Sequence, residues 1–193
     1  MESITKVYDN YERAERAVTE LEAAGIPSSQ ISLLANRHVS AKYDDKAETS
    51  NATAGAGVGA VLGGGAGLLG GLGLLAIPGV GPILAAGALA ATAAGALAGG
   101  AAGGFVGALV DAGVSEEHAH VYSEAIRRGG TMLSVKVDGA QAETVKTILD
   151  QYQPLDPVAL GADFRKTGWK SYDPDAPPYE LSDLDLERIR RPF

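Results

Sequence analysis

The chain has 193 residues, 24 of them acidic and 16 basic, for a formal net charge of −8, and it has no cysteine. That length holds one domain, or one domain with an insertion. The acidic balance argues against a nucleic-acid partner, which needs clustered Lys and Arg, and the missing thiols exclude disulfides and thiolate chemistry.

The opening, "MESITKVYDNYERAERA", turns polar almost at once and lacks the apolar core of a secretory signal. The expected location is therefore the cytoplasm or the cytoplasmic membrane, not the exterior. "SITKVYD" is rich in Ile, Val and Tyr and predicts a strand. Asp9 or Asn10 is placed to cap a helix, and Ala14, Ala17, Val18 and Leu21 recur at helical spacing behind it. Gly25 is the expected left-handed stop, Pro27 prevents continuation, and "ISLLA" is the next strand.

The middle of the chain changes character. No Asp, Glu, Lys or Arg occurs between Glu48 and Asp111, and from 54 to 110 Thr92 is the only residue with a hydroxyl, amide or ionisable side chain. Gly55, Gly59, Gly63, Gly67 and Gly71 step by four, and Gly87, Gly95, Gly99, Gly103 and Gly107 repeat the step with Ala91 in the gap. The stretch "GAGVGA" fits a loose dinucleotide pattern, but no strand precedes it and no acid follows until Asp111, so a nucleotide site is not expected. Disorder is also disfavoured, because flexible segments are polar enough for water to solvate.

The preferred reading of 52–110 is a glycine-zipper helical hairpin turning at "AIPGVGPI", residues 76–83. At about 1.5 Å per residue its arms reach about 35 to 42 Å, enough for a bilayer core of about 30 Å. The ten stepped glycines are the expected self-association residues, because bare backbones can approach closely. Val61, Leu68, Leu72 and Leu75 make the opposite side of the first arm apolar as well, so the hairpin needs lipid or other copies of the chain around it. Its flanks carry Asp44, Asp45, Lys46, Glu48, Asp111, Glu116 and Glu117, which is no positive-inside signal.

After the insertion, "SEEHAHVYSEAIRR" reads as a helix, with Ser115 at its start and Gly129-Gly130 at its end. "TMLSVKV" is a strand, Asp138 a cap, "AQAETVKTILDQY" a helix, and "PVAL" an expected short edge strand. Asn10 aligns with Asp138, Ala14 with Ala142, Ala17 with Val145 and Leu21 with Leu149, a weak internal repeat. Two strand–helix–strand units of this kind predict an α+β, ferredoxin-like split βαβ domain from 1–36 plus 112–160. It carries the hairpin as an insertion and 161–193 as a partly irregular C-terminal tail.

The quoted stretches "KVYDNYERAERAVTELEAAGIPSSQISLLA", "IPGVGPILAAG" and "HAHVYSEAIRRGGTMLSVKVD" resemble the bacterial general stress protein (heat-induced stress protein) domain family, over about residues 4–150. The glycine-rich character is similar to that of low-temperature-induced members. The resemblance implies a stress-responsive role and supplies no catalytic residues.

Glu117, His120 and Glu124 share a helical face at a spacing that di-iron bundles use, but no second such motif exists, so a solvated face is expected and no metal or other cofactor. Nothing pairs a nucleophile with a base, so an enzyme is not expected and no small-molecule substrate is identified. Trp169, Tyr172 and Tyr179 are expected to dock the tail on a neighbouring surface, with packing on its own domain as the alternative. The resulting expectation is a non-enzymatic stress-response homo-oligomer, membrane-associated through the hairpin. The alternative is a soluble regulatory or ligand-binding oligomer with the hairpins at its core.

Overall fold

The computed structural model describes residues 2–36, 73–77, 81–87, 104–177 and 179–180, with the backbone alone for 73–77 and 81–86. The chain is mixed α/β: among the described residues, an antiparallel sheet with five α-helices. In chain order the elements are β1 (Glu2–Tyr8), α1 (Tyr11–Ala23), β2 (Ile31–Asn36), β3 (Gly73–Ile77), β4 (Gly81–Ala86), α2 (Gly104–Asp111), α3 (Glu116–Arg127), β5 (Thr131–Val137), α4 (Gly139–Gln151) and α5 (Pro157–Lys166). The sheet order is β1-β5-β2-β4-β3, antiparallel throughout.

Local chemistry sets the element ends. Asn10 caps α1 by accepting from the Arg13 N–H at 3.0 Å, so of the two candidate caps it is Asn10 that serves. Gly25, at φ +85°, takes the left-handed turn that closes α1, and the Ile26 N–H folds back onto the Leu21 carbonyl at 3.0 Å. Ser115 and Asp138 stand at the N-cap positions of α3 and α4 without a side-chain cap bond.

Alternation along β1, β5 and β2 sorts the core into two layers. Tyr8, Ile31, Leu33, Leu133, Val135 and Val137 face α1 and α4, where Val18, Leu21, Val145 and Leu149 meet them. Val7, Leu34 and Met132 face the other way, against Phe105 and Leu109 of α2, Val121 and Ile126 of α3, and Phe164 of α5. With helices on both faces, β2 is buried at every position, which is why "ISLLA" reads as an unbroken apolar run. Each such Leu or Ile contributes about 1.5–3 kcal/mol by leaving water.

Two expectations are corrected. The first is the helical hairpin. In place of its turn and the adjoining ends of its arms, the chain forms a β-hairpin: β3 pairs with β4 from Gly73↔Ala85 to Ile77↔Gly81, and β4 pairs with β2 from Leu33↔Ala86 to Asn36↔Ile83. The physical reasons are local and tertiary. Glycine costs a helix about 1 kcal/mol per residue, Pro78 and Pro82 interrupt helical bonding, and β2 offers an open ladder edge. Pro82 is tolerated because it lies beyond the last rung with β2, at Asn36↔Ile83. The segment then returns as the short apolar helix α2, whose Phe105, Ala108 and Leu109 are buried in the domain. Residues 37–72 and 88–103 lie outside the described residues.

The second correction is the expected edge strand at 157–160, which is the start of α5. Asp156 caps that helix by accepting from the Val158 N–H at 2.9 Å, and Pro157 occupies its first turn. The chain reaches the outer side of β1 at one point only among the described residues, where the Leu155 N–H donates to the Val7 carbonyl at 2.7 Å.

Candidate functional site

Glu124 of α3 is the most deeply buried charge of the molecule's described part, 1% exposed. Its carboxylate is held by two arginines of the same helix end. Arg127 Nε donates to Oε2 at 2.8 Å and Nη2 to Oε1 at 2.7 Å, while Arg128 Nε donates to Oε1 at 2.6 Å. Spacings of three and four residues put all three side chains on one helical face. The fork geometry and the low local dielectric strengthen the pairing, and the hydrogen bond to Glu124 raises the Arg127 pKa above its ordinary value. Three hydrogen bonds thus engage the carboxylate, and its helix-mate Glu117 pairs with Arg165 of α5 at 3.1 Å.

The two arginines also hold the tail. The Arg127 and Arg128 guanidinium carbons lie 5.1 and 5.2 Å from the Tyr179 ring centroid, and Arg128 lies 4.3 Å from that of Phe164. Arg127 Nη1 reaches the Pro177 carbonyl at 3.4 Å. Trp169 meets Phe164 edge-on at 5.6 Å, and Tyr172 meets Phe105 edge-on at 6.5 Å. Tyr172 is buried, and burial, the largest influence, pushes its phenol up to about 12 despite the opposing charge of Arg127. The three tail aromatics thus contact their own chain, across α2, α3 and α5. Sequence reasoning misses the other half of this contact, the Glu124–Arg127–Arg128 cluster, although the i, i+3, i+4 spacing of opposite charges is its signal.

Two of the ten expected self-association glycines are described. Gly87 closes β4 at φ +79°, and a Cβ there would clash with the Ile31 carbonyl oxygen and lie 2.7 Å from Ser32 Oγ. Its lack of a side chain serves a close approach to β2 inside one chain, not a contact between helices. Gly107 lies on α2 with nothing within 4 Å of its absent Cβ, so no segment of the described chain packs against it. Gly55, Gly59, Gly63, Gly67, Gly71, Gly95, Gly99 and Gly103 lie outside the described residues.

A cleft of about 420 Å³ opens beside the outer edge of β1. Thr5, Lys6, His118, Tyr122, Asp150 and Asp156 are among its lining residues. Lys6 Nζ is bound to Asp150 at 2.7 Å. Burial, then the charge of Asp156, raises the Tyr122 phenol above its ordinary pKa, so it stands as a neutral donor. The His118 ring lies tilted against Tyr122 with centroids 6.2 Å apart. Behind them Thr5 Oγ1 and Ser134 Oγ share a hydrogen bond of 2.9 Å across the β1–β5 pair. His120 Nδ1, on the other side of the helix, is buried without a partner among the described residues. The cleft presents hydrogen-bonding groups on a strand edge and holds its one lysine in an ion pair. Among the described residues no helix is long and apolar enough to cross a membrane. No protein-family model, no curated protein and no solved structure matches this chain.

Proposed function

We propose that this is a non-catalytic protein of the bacterial stress response that works as a homo-oligomer, the uncharged segment between Glu48 and Asp111 supplying contact surface between copies. One observation carries the reading. β4, drawn from that segment, is hydrogen-bonded into the domain's sheet beside β2, so its partner strand β3 becomes the outer strand, with one edge unpaired among the described residues. An apolar, uncharged outer strand presents backbone N–H and C=O groups to any second sheet that reaches it. The same pairing ties β3 and β4 to the domain, which weighs for assembly between folded domains and against a helical hairpin that crosses a bilayer. The β1–α1–β2 and β5–α4 units, with both helices on one face, are read as a ferredoxin-like core lacking its fourth strand. The resemblance to general stress proteins supports the stress role. The ionisable side chains support the non-catalytic reading, because Glu124, Asp150, Glu117 and Glu20 are engaged by Arg127, Lys6, Arg165 and Tyr152 respectively.

The test is the mass of the full chain in detergent-free buffer, by light scattering on a sizing column. One discrete multimer is expected, reduced to a smaller species by Gly63→Leu combined with Gly99→Leu. A monomeric wild-type mass overturns the proposal, and recovery only from detergent-solubilised membranes transfers the uncharged segment to lipid.

A further inference from the structure

β1 is the sheet's other outer strand among the described residues, and its outer edge has a definite hydrogen-bonding pattern. The Val7 carbonyl accepts from Leu155, so it points away from β5. Alternation then directs the N–H and C=O groups of Ser3 and Thr5 outward too, whereas those of Glu2, Ile4 and Lys6 are turned to β5. Leu155 closes the Val7 end of this edge. Among the described residues, what remains open is Ser3 and Thr5, with Ile4 between them.

We infer that a second copy of this chain pairs its own β1 antiparallel to this edge, in the register centred on Ile4. The proposal deepens the self-assembly reading by naming one contact. Only this register uses the open groups and nothing else: Ser3 and Thr5 of one copy each exchange N–H and C=O with Thr5 and Ser3 of the other, and the pairing stops before Leu155. It is also complementary in charge. Glu2, exposed, falls opposite Lys6 of the second copy, and Lys6 opposite the second Glu2. All these even-numbered side chains lie on the α4 side of the sheet, where Lys6 already meets Asp150 and its ammonium has further protons to donate. Ile4, partly buried against the α1–α4 core layer, meets the second Ile4 across the two-fold axis and adds apolar contact between the opposite charges. A register centred on Ser3 or Thr5 sets Glu2 or Lys6 opposite Ile4 and loses the charge pairing, and a slip of a single residue faces an outward backbone group with one already bonded to β5. The two sheets become one across the axis, which removes an exposed strand edge in each copy.

The wild-type chain has no cysteine, so one substitution supplies the only thiol. Ile4→Cys places two thiols at a non-hydrogen-bonded pair with Cα atoms about 4.5 Å apart, inside the disulfide range of about 4.4–6.8 Å. Under mild oxidation of the full-length protein, most of the chain is expected to run as a covalent dimer on a non-reducing gel. Glu2→Cys is the register control: its two thiols stand about 13 Å apart at about 3.3 Å per residue and are expected to give only a trace. Thr5→Pro removes one outward N–H without touching the β5 ladder, and is expected to lower the assembled mass while leaving the far-ultraviolet spectrum unchanged. A multimer in which the Ile4→Cys thiol stays reduced, or cross-links no better than the Glu2→Cys thiol, overturns this edge and leaves self-assembly standing. A monomeric wild type overturns both.

Discussion

Arg127 grips Glu124 through two parallel hydrogen bonds, and the carboxylate they share is nearly sealed from water. Arg128 takes the same carboxylate from one turn on, so a single buried negative charge orients two guanidinium groups. Those groups in turn face Tyr179 and Phe164. Glu124 is thus the hinge between the α3 end and the tail. Glu124→Gln leaves two partly buried cations without their counter-charge and is expected to destabilise the fold by about 3 kcal/mol. The chain's single tryptophan, Trp169, stands in this contact against Phe164. Its emission is therefore expected to shift to the red in Glu124→Gln, at urea concentrations where the helical signal persists.

Gly87 and Gly107 look alike in the every-fourth-residue pattern but have opposite surroundings. Alanine at 87 must hold a left-handed φ and push into the β2 backbone, so a loss of about 2 kcal/mol or more is expected. Alanine at 107 meets nothing and gains helix propensity, so α2 is expected to be stabilised by about 0.5–1 kcal/mol. Urea denaturation of the two variants checks the pair. Equal effects at both positions would show that Gly87 is not clamped against Ile31 and Ser32.

The contrast between these glycines also shows how far the sequence can be read. Elements with their own punctuation are legible: α1 between Asn10 and Gly25, and β5 between Gly130 and Asp138, stand where periodicity and caps put them. Misreading enters where two principles compete. Glycines at every fourth position suit close helix packing, but they also lower helix stability enough that an open neighbouring strand edge decides the outcome, and the edge of β2 is visible only after folding. The apolar residues of "PVAL" suggest a strand, although Asp156-Pro157 at its start is a helix-start signature that carries the stronger information. The tail aromatics announce docking but not its surface, because Phe105, Phe164 and the arginine pair that receive them are brought together by tertiary structure alone.

Asn36 ends β2 and is buried, and its Nδ2 donates to the carbonyls of Ile126 and Arg127 at 3.1 and 3.2 Å. It therefore caps the C-terminal end of α3 from the sheet and ties the strand to the helix that carries Glu124. Asn36→Ala leaves those carbonyls short of a donor, and about 1–3 kcal/mol is expected to be lost. Asn36→Asp keeps the size but replaces the amide donor with a carboxylate facing carbonyl oxygens at a negative helix end, so it is expected to be the more damaging of the two above neutral pH. Thermal unfolding at pH 8 checks the order.

Tyr172 joins the tail to α2, and burial raises its phenol from the ordinary value of 10.0 to about 12. The folded chain thus holds the phenolic proton more firmly than the unfolded chain does. Its contribution to stability is fully present below pH 10. It falls as the unfolded phenol ionises, and it is gone once pH passes about 12 and the folded phenol ionises too. Within that window each such tyrosine removes at most about 1.4 kcal/mol per pH unit. Tyr8 and Tyr122, also raised by burial, add to the slope in the same direction. Tyr172→Phe keeps the edge-on contact with Phe105 but removes the titrating proton. The variant is therefore expected to lose less stability than wild type between pH 10 and pH 12, read as the difference in urea midpoints across that range, and to hold Trp169 in its docked environment to higher pH. Identical alkaline profiles for the two proteins would place Tyr172 in water and the tail off the α2–α3 surface.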